Sequence, residues 1–294
     1  MNAIRKVIIP VRMEDGTDSG MTLFARDPDS HPDSPVILCM PAMGVPADYY
    51  EPLALVGAEK GLHMITADLR GIGLSSVRAS RRTQFGYREL IRYDLPAFVS
   101  SARARFPRNP ILLLGHSLGG QLGALYASAN PGKIAGLILV ASGSVYFRGW
   151  TFPSNVGLII SSQFIRVVAE IFGYLPGKRL GFGGTESRQL IRDWSRQALS
   201  GRYDSLGDSV DYEALLSEVR TPILAISFAR DFFAPYKAVR NLYAKMSMAP
   251  TTHHHCSAAD LGLRDNQLDH FQWAKNPEPI VSIISRWISR TPFP

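Results

Sequence analysis

Two cysteines in 294 residues, Cys39 and Cys256, are too few for a disulfide framework, and they fall in segments that the pattern below places apart, so two free thiols are expected. Charge is also sparse. Asp, Glu, Lys and Arg make up 19% of the chain against 46% for hydrophobic residues, which excludes a disordered or fibrous polymer and fits a globular enzyme. The net charge of +7 comes without a dense lysine run or a nucleic-acid motif, so it reads as a generally basic surface and not as a nucleic-acid site. Residues 1–15 lack the roughly 7 consecutive apolar residues of a signal-peptide core. Arg5, Lys6, Pro10 and Arg12 surround the short run at 7–9, and a cytoplasmic protein is the expectation. Nor is there a long uninterrupted apolar run: the most apolar window, residues 156–172, carries Gln163, Arg166 and Glu170, which argues against a membrane span.

What the chain does have is the stretch at residues 111–120, I-L-L-L-G-H-S-L-G-G. Four aliphatic residues run into a glycine, a serine stands among small residues, and a helix-like pattern of Gln121, Leu122, Ala124, Leu125 and Tyr126 follows. That is a buried strand, a sharp turn and a helix, the context in which a G-x-S-x-G pentapeptide presents its serine at a strained corner with the hydroxyl exposed. Ser117 is therefore the candidate nucleophile. The backbone N–H of Leu118, in the first turn of the helix, points to where a carbonyl oxygen would gain negative charge. A glycine-flanked serine in an ordinary turn is the plainer alternative.

Around this stretch, apolar runs at residues 35–40, 63–67, 134–141 and 223–228 alternate with helical patterns at 47–60, 87–106 and 277–289. Short alternating runs at 3–11 and 21–25 predict an opening β-hairpin, and 27–34 a polar loop. Strands alternating with helices imply an α/β fold with a mostly parallel sheet flanked by helices and joined by right-handed crossovers.

The order of motifs resembles the α/β-hydrolase superfamily, of the serine-hydrolase or esterase type. The resemblance implies an eight-stranded-type sheet formed by residues 1–141 and 216–294, with residues 142–215 inserted as a helical cap over the nucleophile. Two amphipathic helices, at 156–172 and 186–199, are expected there, joined by the glycine-rich 174–184. The segment holds Tyr146, Phe147, Trp150, Phe152, Phe164, Phe172, Tyr174, Phe182 and Trp194; most should form the cap's own core and its seat, and a few should line the pocket. In the superfamily the loop after the strand at 35–40 supplies the second oxyanion N–H, usually from a His-Gly-x pattern. Pro41-Ala42-Met43 stands in its place here, so Met43 inherits that role by position.

A serine needs a histidine base, and the histidine needs a carboxylate to fix its tautomer. The superfamily's order is serine, acid, histidine. Asp231, in the loop after residues 223–228, takes the acid's place; the other position that some members use, after residues 134–140, holds Ala141, Ser142 and Gly143 and no carboxylate. Of the histidines after Asp231, His270 precedes the C-terminal helix and matches the superfamily's histidine loop. His116, inside the turn, reads as a packing residue or a support for the catalytic groups, and not as the base. Consecutive strand residues face opposite sides, so at most His253 and His255 of the run 253–255 share one, and no metal site has a recognisable spacing. Arg70, Arg78, Arg81 and Arg82 could greet an anionic substrate or simply be solvated. The expectation is a serine hydrolase cleaving a carboxylic ester of a largely apolar, small-molecule acyl substrate, with no cofactor, no metal, no nucleic acid and no membrane span. Ser117 also argues against the aspartate-nucleophile members of the fold. A thioesterase, an acyltransferase or carbon-carbon bond cleavage would use the same triad; a non-catalytic ligand-binding protein is the alternative of another class.

Overall fold

The aliphatic runs build the middle of a sheet that is covered on both sides, as their lack of polar alternation requires. The computed structural model describes residues 4–25, 34–181, 183–204, 207 and 209–293, so the loop expected at 27–34, apart from Ser34, and the aromatic Phe182 lie outside the described residues. The strands are β1 Arg5–Arg12, β2 Asp18–Ala25, β3 Val36–Met40, β4 His63–Ala67, β5 Ile111–His116, β6 Gly136–Val140, the short β7 Tyr174–Pro176 and β8 Thr185–Ser187, then β9 Ile223–Phe228 and β10 Thr251–Cys256. Eight of them form one sheet in the order β1-β2-β4-β3-β5-β6-β9-β10. The opening hairpin β1–β2 is antiparallel, and β2 pairs antiparallel with β4. From β4 to β10 every pairing is parallel, so the carboxyl ends of these strands meet along one edge.

Alternate residues of each strand feed opposite faces. Val36, Leu38, Leu113 and Leu139 pack under the helices Leu95–Arg105 and Leu118–Ala129, whereas Ile37, Leu112, Leu114 and Ile138 pack under Glu51–Glu59 and Glu278–Ile288. Cys39 and Cys256 are buried, unpaired and on well-separated strands. Burial pushes the Cys256 thiol up to about 11.

Between β6 and β9 the chain forms the helix Ser154–Phe172, the antiparallel pair β7–β8, the helix Arg188–Ser200 and a short helix, Tyr212–Leu216. The second long helix starts two residues later than its periodicity predicts, because Glu186 belongs to β8 and the Ser187 hydroxyl caps the helix by accepting from the Gln189 N–H. The two long helices are tied by Ser195 Oγ donating to the Ser162 carbonyl at 3.0 Å and by the ion pair of Arg192 with Glu170. Their buried residues Ile165, Ala169, Leu190, Ile191 and Trp194 join the core on one face of the main sheet.

The aromatics of this segment depart from expectation. Trp150 and Trp194 are buried, but Phe152, Phe164 and Phe172 are exposed. For Phe164 and Phe172 the reason lies in the first long helix, which turns Ser162, Ile165 and Ala169 inward and leaves its more apolar side facing out. Among the described residues it is the one helix long and apolar enough to cross a membrane.

Candidate active site

The strand β5 is buried along its whole length and ends at a corner that the glycines on either side make possible. A Cβ on Gly115 would lie 2.5 Å from the Gly119 carbonyl carbon, and one on Gly119 would lie 2.7 Å from that of Met40, so neither position accepts a side chain without moving backbone. Between them Ser117 is held at φ 52° and ψ −115°, in a region that non-glycine residues rarely occupy. Its N–H donates to the Val140 carbonyl on the neighbouring strand, and its carbonyl accepts from the Ser142 hydroxyl at 2.6 Å and the Gly120 N–H at 3.1 Å. The strain is thus fixed from both sides. Because Leu118 opens the helix Leu118–Ala129, its N–H has no intrahelical acceptor and remains available to an anion.

Two further loops at the same sheet edge supply the other groups. In the loop after β9, Asp231 turns its carboxylate inward; Oδ1 accepts from the N–H groups of Phe233 and Ala234, both at 2.8 Å. The same carboxylate faces His270 Nδ1, at 3.0 Å from Oδ1 and 2.9 Å from Oδ2. The side chains of Asp231 and His270 are 0% and 6% exposed, so their interaction is shielded from water. Asp269, next to the histidine, is occupied elsewhere: its Oδ1 accepts from the N–H groups of Phe271 and Gln272 and shapes the loop. Phe233, Phe271 and His116 pack around the His270 ring with centroids 5.2, 4.8 and 4.9 Å away.

Ser117, Leu118, Met43 and His270 line a common cavity of about 100 Å³ with Ala42, Val145, Trp194 and Phe233. Val145, Gly181, Trp194 and Phe233 also line an adjoining apolar cavity of about 560 Å³, walled by Trp150, Leu158, Phe164 and Ile165 of the inserted segment. The described residues lining both include no carboxylate. A surface groove of similar volume against β1 and β2, flanked by Arg5 and Arg105, is lined by Ser101 but by no histidine or carboxylate among the described residues to activate it.

Apart from His116, the groups that brace the corner leave no sign in the sequence. Tyr50 is fully buried; its hydroxyl accepts from the Ala42 N–H at 2.9 Å and lies 2.7 Å from His116 Nδ1, which links the loop carrying Met43 to the turn carrying Ser117. Burial holds the His116 pKa well below the ordinary 6.5, so the imidazole that shares this hydrogen bond with Tyr50 stays neutral. Gln121 donates to the Gly143 carbonyl at 2.9 Å and accepts from Tyr87 Oη at 2.8 Å, bracing the loop after β6. Tyrosines and glutamines with such duties look like any others in a single sequence. The loop with Met43 is also covered by the inserted segment: a Cβ on Gly44, at φ 70°, would come within 2.6 Å of the Gly183 carbonyl carbon. Glu186, buried beneath this contact, accepts from the Gly184 N–H at 2.8 Å.

The arginines after β4 are mostly committed to other partners. Arg70 is buried in ion pairs with Asp94 and Asp15 at 2.6 and 2.7 Å. Arg78 donates to the carbonyls of Gly73, Ser75 and Val77, and Arg81 Nε to that of Phe172. Loop closure, not capture of an anion, is what Arg70 and Arg78 do here; Arg82 is exposed. On the edge strand β10, His253 and His255 do share a side, and both hydrogen-bond the Ser227 hydroxyl at 2.8 Å, while the Tyr236 ring stacks on His253.

Comparison with known proteins places this geometry in context. Residues 31–199 match the sequence model of the Hydrolase_4 family, described as serine aminopeptidase, S33. Over 124 residues the chain is 29% identical to the monoglyceride lipase of Homo sapiens, an alignment covering 42% of this chain and 40% of that protein. The chain therefore spans under half the length of that curated relative. Among solved structures, an esterase of Pyrococcus furiosus superposes with a TM-score of 0.63 at 14% identity, covering 98% of this chain and 91% of that one. The thioesterase domain from the curacin biosynthetic pathway gives 0.56 at 18% identity, covering 96% and 100%. A serine hydrolase involved in carbazole degradation gives 0.60 at 14%, covering 98% and 100%. At these identities the likeness is one of fold.

Proposed function

From the premise that the chain belongs to the Hydrolase_4 family, and so to the α/β-hydrolase superfamily, we propose that it hydrolyses a carboxylic ester with a largely apolar acyl group through an acyl-enzyme on Ser117. The observation that carries this reading is the 560 Å³ apolar cavity that adjoins the smaller cavity shared by Ser117 and His270. An acyl chain lying there buries its methylenes at about 0.8 kcal/mol each and brings its carbonyl to the serine.

In this scheme His270 Nε2 removes the Ser117 proton as the hydroxyl oxygen attacks the ester carbonyl. Asp231 holds the Nδ1 proton and stabilises the imidazolium. The tetrahedral oxyanion lies against the N–H groups of Leu118 and Met43. His270 then protonates the departing alcohol, and water, deprotonated by the same histidine, releases the acid. The inserted segment serves as the cap that walls the acyl site, and neither a metal nor an organic cofactor is needed. The monoglyceride ester named for the human relative agrees with this choice. Peptide N-termini, which the family description suggests, suit it less, since a bound α-ammonium calls for a carboxylate and the described cavity lining offers none.

A fluorophosphonate probe tests the nucleophile. It should modify Ser117 stoichiometrically in the wild type and not at all in Ser117→Ala, with His270→Ala suppressing the reaction. On p-nitrophenyl esters and acyl-coenzyme A thioesters of graded length, kcat/KM should rise with acyl length and favour the oxygen ester. An inert Ser117 in a folded protein overturns the reading, and a preference for charged acyl groups overturns the substrate class.

A further inference from the structure

The helix Ser154–Phe172 presents Val156, Ile160, Phe164, Val167 and Ile171 to solvent, with Ile160, Phe164 and Ile171 at 65, 59 and 67% exposure. At 100° per residue these five fall within an arc of about 80°, a single stripe along the helix. Phe152 before it, Leu180 and Phe232 add to the exposed apolar residues of this region, and such a patch on a folded chain marks a surface made for a partner. Phe164, Leu180, Phe232 and Phe233 are exposed and also line the 560 Å³ cavity, so the cavity opens onto the patch.

Exposed basic residues adjoin it. Arg166 flanks the stripe, Lys178 and Arg179 precede Leu180 in the chain, and Arg82 follows Arg81, which is tied to the helix's last carbonyl. The one acidic residue on the helix, Glu170, is neutralised by Arg192. Apolar stripe and basic margin together match a surface that offers hydrocarbon beneath negative charge. A second copy of the chain would instead oppose a basic margin to a basic margin.

We propose that this face docks in the plane of an anionic phospholipid bilayer, with the helix lying in the headgroup boundary and the cavity mouth opening onto the lipid. The helix does not span. Its opposite side, with Ser162, Ile165 and Ala169, is buried against the protein, and Arg166 and Glu170 stand in its second half. Docking is independent of the catalytic reading; only the delivery of acyl chains from the lipid rests on it.

The test uses full-length Ser117→Ala and flotation with vesicles of phosphatidylcholine, with and without phosphatidylserine. The protein should float with the phosphatidylserine vesicles, and added salt should weaken binding. The triple variant Ile160→Asp, Val167→Asp, Ile171→Asp, whose positions are exposed and outside the cavity lining, should lower binding at least about tenfold. Lys178→Gln with Arg179→Gln should lower it several-fold on anionic vesicles alone. Thermal unfolding of each variant checks the fold. Absence of vesicle binding, or equal binding by the triple variant, overturns the proposal. Lipid-free self-association that the triple variant abolishes, without vesicle binding, assigns the face to a second copy and overturns it equally. Since flotation is read on the Ser117→Ala protein, its outcome stands apart from the probe-labelling result.

Discussion

The corner at Ser117 and the helix Ser154–Phe172 are both written in apolar residues, yet they end in opposite environments. From Ile111 to Ser128 every residue is buried except Ser117 itself, which is half-buried; along the other helix only Ser162, Ile165 and Ala169 are. The first has all its apolar surface answered by neighbours, so its backbone can hold a strained residue in place. The second has most of its apolar surface unanswered among the described residues. Strain that serves chemistry needs a complete enclosure, whereas surface that serves recognition needs to stay incomplete.

The sharpest test of the first half concerns the carboxylate. Asp231→Asn should lower kcat about ten-thousandfold, because an amide behind His270 favours the wrong tautomer. Asp269→Asn should change it little, since an amide oxygen can still accept from Phe271 and Gln272. Ester kinetics of the two variants, with circular dichroism to check folding, decide it, and the reverse ranking assigns the acid to Asp269.

Glycine substitutions probe enclosure directly. Gly119→Ala drives a methyl into the Met40–Pro41 backbone and should cost about 3 kcal/mol or more. Gly157→Ala, in the helix Ser154–Phe172, meets nothing within 4 Å and should stabilise by roughly 0.5–1 kcal/mol. Denaturant melts measure both. Equal costs at the two sites would mean that the second helix is as tightly enclosed as the first.

The smallest expected effect is a divergence with pH. His116 has a folded pKa below its ordinary 6.5, so the folded state holds fewer protons than the unfolded one. Its contribution is present above pH 6.5 and is lost as pH falls below it. Asp193, in the helix Arg188–Ser200 of the inserted segment, accepts from the Tyr87 N–H and from Gln189 and is raised by burial from 3.8 to about 6. Here the folded state holds more protons, and the contribution present at low pH is lost as pH rises through about 6. Amide exchange at pH 5 and 7.5, corrected for intrinsic rates, should therefore show the corner less protected in acid and the helix Arg188–Ser200 more protected. Asp193→Asn should flatten the second response, and matching trends in both regions would erase the contrast.

Much of this was legible in the residues. The runs at β4 and β9 appear with their bounds unchanged, since an aliphatic run buried on both faces has little freedom in where it ends, and the G-x-S-x-G corner is specified locally by its glycines. Asp231 and His270 were found through chain order, and the structure brings them within hydrogen-bonding distance. What could not be read was where apolar residues face outward. Phe152, Phe164 and Phe172 carry the same hydropathy whether a partner covers them or not, and only the fold shows that they stay exposed among the described residues. The roles of the arginines after β4 stayed open for a related reason: charge in a sequence does not say whether a carboxylate such as Asp94, 24 residues on, will claim it.

The contact of Gly44 with the loop at Gly183 and Gly184 bears on how this protein could be re-engineered. The inserted segment cannot be exchanged as a freestanding module, because a graft brings its own residues against the loop that carries Met43. Any chimera bearing a side chain at position 184 would press on that loop and alter turnover of every substrate alike, whatever pocket the new segment supplies. Grafts that keep the two glycines and Glu186, and vary only the walls at Trp150, Leu158 and Phe164, separate the choice of substrate from the rate of the reaction.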